Sequence, residues 1–187
     1  MNYRTHSYPR FSACGLNCGL CPNYYLHTQG QFRCPGCAGE GFADQHPSCS
    51  ILTCVQKNDL EYCFNCADFP CEKYEGAGQL DSFIAHKHQF RDIKKAQEVG
   101  IKAYAEELDQ KVEILQELLE HYNDGRKKTL YCLATNLLEL KDIQTVMEQI
   151  KSEVNPDSSL KERAKQAAEL FHKMAKQRNI ELKLRKK

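Results

Sequence analysis

The chain has 187 residues, in which 26 Lys and Arg nearly balance 25 Asp and Glu, so that the net charge is +1. This length suits one domain or a small module joined to a larger one, and the charge balance argues against a protein dedicated to nucleic acids or other polyanions. No apolar run approaches the roughly 20 residues needed to cross a bilayer, and residues 1–9 lack the apolar core of a signal peptide. We therefore expect a cytoplasmic protein that makes no use of a membrane.

The cysteines divide the chain into two parts. Ten of the eleven lie before residue 72, in a segment that Gly and Pro interrupt and that shows no sustained helical periodicity. This segment has too little apolar material to offset the entropy of ordering it, so we expect cross-links or metal ions to hold it. The sequence thus predicts a small metal-stabilised cysteine-rich module, residues 1–75, followed by an all-α helical bundle, residues 76–187, which we name the helical domain.

Pairs of cysteines separated by two residues are the main motif of the cysteine-rich module. This spacing lets one tight turn present two sulfurs to one metal ion. The pairs are Cys18/Cys21, Cys34/Cys37 and Cys63/Cys66. The first two pairs are twelve residues apart, which is typical of a zinc ribbon. Together with the other cysteines of the module, the candidate metal ligands are Cys14, Cys18, Cys21, Cys34, Cys37, Cys49, Cys54, Cys63, Cys66 and Cys71.

Spacing alone leaves the assignment of ligands to sites open. The favoured first set is Cys18, Cys21, Cys34 and Cys37, and the favoured second set is Cys54, Cys63, Cys66 and Cys71. Exchange of Cys49 for Cys71 is nearly as favourable, as is the entry of Cys14 into the first set. His27 or His46 would give a mixed site.

Structural zinc, about two ions, is the favoured cofactor, because the spacing, the cytoplasmic setting and the scarcity of apolar residues all suit it. [4Fe–4S] clusters are the alternative, since Cys14, Cys18 and Cys21 have a spacing found in cluster-binding enzymes. Disulfides are disfavoured because cytoplasmic thiols stay reduced. Closed four-thiolate sites leave no open coordination position, so we expect a non-enzymatic module whose partner is a protein. Their negative charge makes nucleic acid a weaker alternative.

The cysteine motifs together resemble a known family. The run from Cys14 to Pro22, the segment Cys34–Cys37 and the two later cysteine motifs occur in the order of the domain of unknown function 3795 family. The resemblance covers about residues 12–75. It implies small cytosolic prokaryotic proteins that bind metal, and it implies no substrate.

The helical domain begins with a predicted helix over residues 80–99, which Gly100 ends. An apolar stripe predicts a second helix over 101–122. A third helix is predicted around Leu130–Leu138. The basic run 126–128 comes just before it, and we expect these side chains to form a solvated face. The alternative is that they contact a phosphate or an acidic partner. Cys132 lies on this helix, where a buried, inert core thiol is expected.

The last part of the chain carries two start signals and one strand-like pattern. Asp142 is predicted to cap a fourth helix, and Ser159 with Glu162 fits a capping box that opens a fifth. Residues 180–184 alternate between apolar and polar side chains, which predicts a short strand.

Overall fold

The apolar periodicity of the sequence is realised almost entirely as helices. A computed structural model describes residues 6–46 and 48–186, which contain eight α-helices, three short 3-10 helices and no strand. The α-helices are α1 (Pro22–Thr28), α2 (Phe42–Gln45), α3 (Ser50–Lys57), α4 (Gln89–Val99), α5 (Ile101–His121), α6 (Lys128–Leu137), α7 (Leu140–Glu153) and α8 (Leu160–Gln177). The 3-10 helices are Cys18–Leu20, Cys63–Asn65 and Glu72–Tyr74. No helix in the described ranges has both the length and the apolar character that a membrane span requires.

Helix α5 is the central helix of the fold. Tyr104, Leu108 and Leu115 recur on its buried face at helical spacing. Helices α4, α6 and α7 pack against it, and so does the 3-10 helix Cys18–Leu20. Gly100 separates α4 from α5 with φ of 86°, a left-handed backbone that favours glycine. The helix break predicted at this residue is confirmed.

The cysteine-rich module and the helical domain share one hydrophobic core. Phe11 and Leu20 of the module have no exposed surface and belong to the same buried cluster as the helix side chains. The Phe11 ring lies 4.9 Å from the ring of Tyr104, between centroids. Gly19 allows α5 to approach closely, because a Cβ atom at this position would lie 3.0 Å from Cγ2 of Val112. The metal-independent part of the predicted fold, a cysteine-rich segment joined to helices, is confirmed.

The first helix of the helical domain is shorter than predicted. It begins at Gln89, so the prediction of helix over residues 80–88 is wrong. The Asp81 carboxylate accepts hydrogen bonds from the backbone N–H of His86 at 2.7 Å and of Arg185 at 2.7 Å. The bond from Arg185 ties Asp81 to a residue 104 positions away, and this link holds the segment in a non-helical path.

Two further predictions are corrected near the end of the chain. Residues 180–184 do not form a strand, since no strand partner lies beside them in the described part of the chain; instead Ile180 and Leu182 pack against the core. Asp142 is not the cap of α7, which Glu139 precedes as the N-cap residue. Asp142 lies within the first turn and accepts two hydrogen bonds from Arg178, at 2.9 and 2.5 Å. The Ser159 capping box of α8 is confirmed.

His88, just before α4, gives the fold a pH-dependent stability. Its Nδ1 atom is buried without a hydrogen-bond partner, and burial, followed by the charges of Arg91 and Lys87, lowers the pKa of His88 to about 4. The unfolded chain protonates this side chain near pH 6.5, so the stability that the neutral ring contributes is complete above that pH and is lost as the pH falls towards 4. We expect a loss of about 1–3 kcal/mol over this interval in urea unfolding. A His88→Gln variant should lose less, and an equal loss in both proteins would contradict the account.

Candidate metal centre

The thiols at the start of the cysteine-rich module gather around Cys18. Burial raises the pKa of Cys18 well above its usual range, and repulsion from four neighbouring thiols raises it further. Those neighbours are Cys37, Cys14, Cys21 and Cys34. Cys49 joins them, since after burial its charge contributes to the raised pKa of both Cys14 and Cys37. Because charge repulsion weakens with distance, these six sulfurs, which we name the first thiol group, share one neighbourhood.

The remaining thiols of the module gather around Cys63. Burial raises the pKa of the Cys63 thiol, a hydrogen bond with Tyr74 lowers it, and three nearby thiols raise it again. Those three are Cys71, Cys54 and Cys66. We name these four residues the second thiol group. They are the four cysteines that the sequence favours for the second site.

Neither thiol group forms a finished coordination sphere. Among residues 6–46 and 48–186, no three His, Cys, Asp or Glu side chains are placed so that they could hold a metal ion as they stand. All eleven cysteines are free thiols, so no disulfide draws them together. The thiol groups are therefore neighbourhoods of sulfur atoms, and a bound ion would have to bring the sulfurs of each group into contact with itself.

Hydrogen-bond donors point at several of the sulfurs. The backbone N–H of Ala13 donates to Sγ of Cys37 at 3.3 Å, and that of Leu52 donates to Sγ of Cys49 at 3.4 Å. The second thiol group has a side-chain donor, Nδ2 of Asn58, at 3.6 Å from Sγ of Cys54. Such donors stabilise the charged thiolate, which is the form that binds a metal. The chemistry of this donor set fits a soft divalent ion.

Short helices and tight turns place these cysteines. Cys18 opens a 3-10 helix, and Cys21 is the N-cap residue of α1, with Pro22 at the first helical position. Gly15 bends the loop between Cys14 and Cys18 with φ of 85°, and a Cβ atom there would collide with the side chain of Ile93. The loop that carries the first cysteines therefore lies directly on α4.

A buried polar network fastens this same loop to the helical domain. Nδ2 of Asn17 donates to the Asp92 carboxylate on α4 at 2.9 Å and to Oδ1 of Asn136 on α6 at 3.2 Å. The hydroxyl of Tyr104 on α5 donates to Oδ1 of Asn17 at 2.9 Å. Asn17 is 3% exposed, so these partners replace water that cannot reach it. One residue between two cysteines thus contacts three helices.

Comparison with known proteins identifies the module. A family model described as a protein of unknown function (DUF3795) matches residues 10–76, a span that holds all ten cysteines of both thiol groups. The cysteine-rich module belongs to the DUF3795 family. The resemblance noted in the cysteine motifs is thereby confirmed. No curated protein and no solved structure matched the chain.

Within the cysteine-rich module, the imidazole of His6, which precedes the DUF3795 match, contacts a thiol that sequence spacing did not connect with it. Nε2 of His6 lies 3.9 Å from Sγ of Cys37, and Nδ1 of His6 is buried without a partner. The predicted alternatives are exposed residues elsewhere in the module: His27 is on α1, and the ring of His46 stacks on Phe42. No local pattern relates His6 to Cys37, because they are 31 residues apart.

Cys132 of α6 lies outside the DUF3795 match but close to it in space. Its side chain is 4% exposed, as expected for a core thiol. Burial, followed by the charge of Cys21, raises the pKa of Cys132 to about 12. A thiol with this pKa is protonated at neutral pH, so it is a poor nucleophile. The prediction of a buried thiol is confirmed.

Proposed function

We propose that the cysteine-rich module binds structural zinc, about one ion in each thiol group, and that the folded module presents a surface to a protein partner in the cytoplasm. The observation that carries the proposal is the set of ten cysteines within residues 14–71, six of them in pairs separated by two residues, with backbone N–H groups donating to the sulfurs of Cys37 and Cys49. Each group holds at least the four thiols that a tetrahedral zinc site needs. The zinc would fix the turns of the module, since metal binding supplies folding free energy to small modules of this kind.

A structural role follows from the ligand chemistry. A site closed by four thiolates has no position left for water or substrate, so it suits architecture rather than catalysis. The first thiol group has two sulfurs beyond four, and we assign the inner positions to Cys18, Cys21, Cys34 and Cys37, as the spacing favours. Cys14 and Cys49 are then left outside the inner positions, and the four thiolates around each zinc ion give the site a formal charge of about −2. This charge supports a protein partner over a nucleic acid.

Iron–sulfur chemistry is the second candidate. One observation favours it: after burial, the charges of Cys14 and Cys21 contribute to the raised pKa of Cys18, and the three residues have the cluster-like spacing in sequence. A cluster would use four thiolates of each group, as zinc would. The module would then be a redox protein, in which the metal centre itself exchanges electrons.

Anaerobic purification without added metal separates the two candidates. Elemental analysis should find about two zinc ions per chain in a colourless protein. A brown protein with stoichiometric iron and sulfide would overturn the zinc proposal and support the cluster. Protein that holds neither metal, while its cysteine-rich module stays folded in the presence of a chelator, would overturn both.

A further inference from the structure

A small cavity lies beside α3 in the cysteine-rich module. It has a volume of about 110 Å³, and we name it the α3 cavity. Its apolar side is formed by Leu52 and Val55 of α3, which are 8% and 1% exposed, and by Leu60 in the loop that follows. A cavity of about 150 Å³ can hold benzene, so the α3 cavity has room for a ligand of about four or five non-hydrogen atoms.

The imidazole of His6 brings an unpaired nitrogen atom to the α3 cavity. His6 lines the cavity and is 8% exposed, and its Nδ1 atom is buried without a hydrogen-bond partner in the described part of the chain. Two contacts hold the ring in place: its centroid lies 5.4 Å from that of the Tyr62 ring, and its Nε2 atom faces Sγ of Cys37. Since an unpaired buried polar atom costs free energy, a ligand that hydrogen-bonds with Nδ1 removes that cost.

The contact with Cys37 decides which hydrogen-bonding role Nδ1 has. In the zinc-bound module Cys37 is a thiolate, which accepts hydrogen bonds and donates none. The single proton of a neutral imidazole therefore lies on Nε2, facing the sulfur, and Nδ1 is left as an acceptor. The inference rests in this respect on the proposed function.

Acidic side chains make the α3 cavity attractive to cations. Asp59 and Glu61 both line it, and the lining residues within the described chain include neither Lys nor Arg. The Glu61 carboxylate accepts a hydrogen bond from the backbone N–H of Ser7 at 2.5 Å. A carboxylate has about four lone-pair positions, so Glu61 can accept further hydrogen bonds. Gln56 adds an amide, which can donate or accept. The polar side of the cavity thus offers mainly acceptors and negative charge, opposite an apolar side.

We propose that the α3 cavity binds a primary alkylammonium group, which donates to Nδ1 of His6 and to Glu61 and packs its methylene groups against Leu52 and Val55. An ammonium group has three donors and no acceptor, so it matches this set of acceptors. Its charge complements the carboxylates, and a stem of about four carbon atoms suits the volume. A bare metal ion suits the cavity less well, because it would leave the apolar side uncovered. The same alkylammonium chemistry occurs in a free amine and at the end of a lysine side chain.

Titration of the zinc-loaded protein with n-butylammonium chloride at pH 8, followed by NMR, tests the inference. At this pH a histidine is ordinarily neutral and an alkylammonium group keeps its charge. We expect saturable shifts of the imidazole signals of His6 and of the methyl signals of Leu52 and Val55. Glu61→Gln, which removes the charge and keeps the size, should weaken binding about tenfold or more. Glu75→Gln is the matched control, because Glu75 is an exposed acidic residue of the same module that does not line the cavity; it should bind normally.

Two related ligands and one variant make the test specific to the ammonium group and to its acceptors. 1-Butanol and butyrate carry the same apolar stem, and binding of either as tightly as n-butylammonium would overturn the inference. His6→Phe keeps an aromatic ring and removes Nδ1, so it should weaken binding about tenfold or more. Equal binding by the Glu61→Gln and Glu75→Gln proteins would also overturn the inference.

Nα-acetyl-lysine methylamide separates the two sources of the alkylammonium group. Binding at least as tight as that of n-butylammonium assigns the cavity to a lysine side chain of a partner protein, whereas binding of n-butylammonium alone assigns it to a free amine. Zinc is measured in every sample. Zinc-loaded protein that binds no amine refutes the cavity alone, and protein that carries no zinc but binds the amine refutes the zinc proposal alone.

Discussion

Replacement of Cys18 by serine is expected to remove one zinc ion per chain and to unfold the turns that carry the first thiol group, while the second thiol group keeps its zinc. Cys18 belongs to the ligand set that the spacing favours for the first site, so its loss takes away one of the four sulfurs that would hold the first zinc ion. Metal binding to small zinc modules contributes on the order of 10 kcal/mol to folding, which is comparable to the whole free energy of unfolding of an ordinary domain. Elemental analysis would report the lost zinc, and native-state hydrogen exchange would report the lost protection of the turns that carry the first thiol group.

Cys132→Ala is the matched control for this experiment. It also removes a buried thiol, but one that we place outside both metal sites. The variant should keep all of its zinc and lose only about 1–2 kcal/mol of unfolding free energy, from the small cavity left in the core. Full zinc occupancy in Cys18→Ser, or equal zinc loss in the two variants, would contradict the assignment of the first thiol group.

Replacement of Asn17 by alanine is expected to lower the free energy of unfolding by about 3–5 kcal/mol. The substitution removes three buried hydrogen bonds, to Asp92, Asn136 and Tyr104. It also leaves the Asp92 carboxylate, in a residue that is 5% exposed, without its donor from the module. Urea unfolding measures the change, and zinc content should not change, because Asn17 holds no metal in this account.

A hydroxyl on the surface serves as the control for the Asn17 network. Thr145 donates to the carbonyl of Lys141 at 2.9 Å, at an exposed position of α7. Thr145→Ala should change the free energy of unfolding by less than about 0.5 kcal/mol. If Asn17→Ala costs no more than this control, the polar network does not join the module to the helices.

The sequence was most informative where local physics decides the structure. The boundaries of α5 follow from its apolar stripe and from Gly100, and the start of α8 follows from the Ser159 capping box. These features depend on residues a few positions apart, which a sequence displays directly.

Features that depend on distant residues escaped prediction. Asp81 prevents a helix because it binds Arg185, which is 104 positions away, and nothing in the local sequence of either residue indicates the other. Asn17 is part of a cysteine motif, yet its partners lie 75 to 119 positions along the chain.

X-ray absorption at the zinc edge of the anaerobically purified protein tests the central claim most directly, because it counts the atoms bound to the metal. Our account predicts a single shell of about four sulfur atoms at about 2.3 Å from zinc. The Cys18→Ser protein should give the same shell from the second thiol group alone, at half the zinc content. A shell dominated by nitrogen or oxygen, or protein that carries no zinc, would contradict the claim that the ten cysteines of the module form two zinc sites.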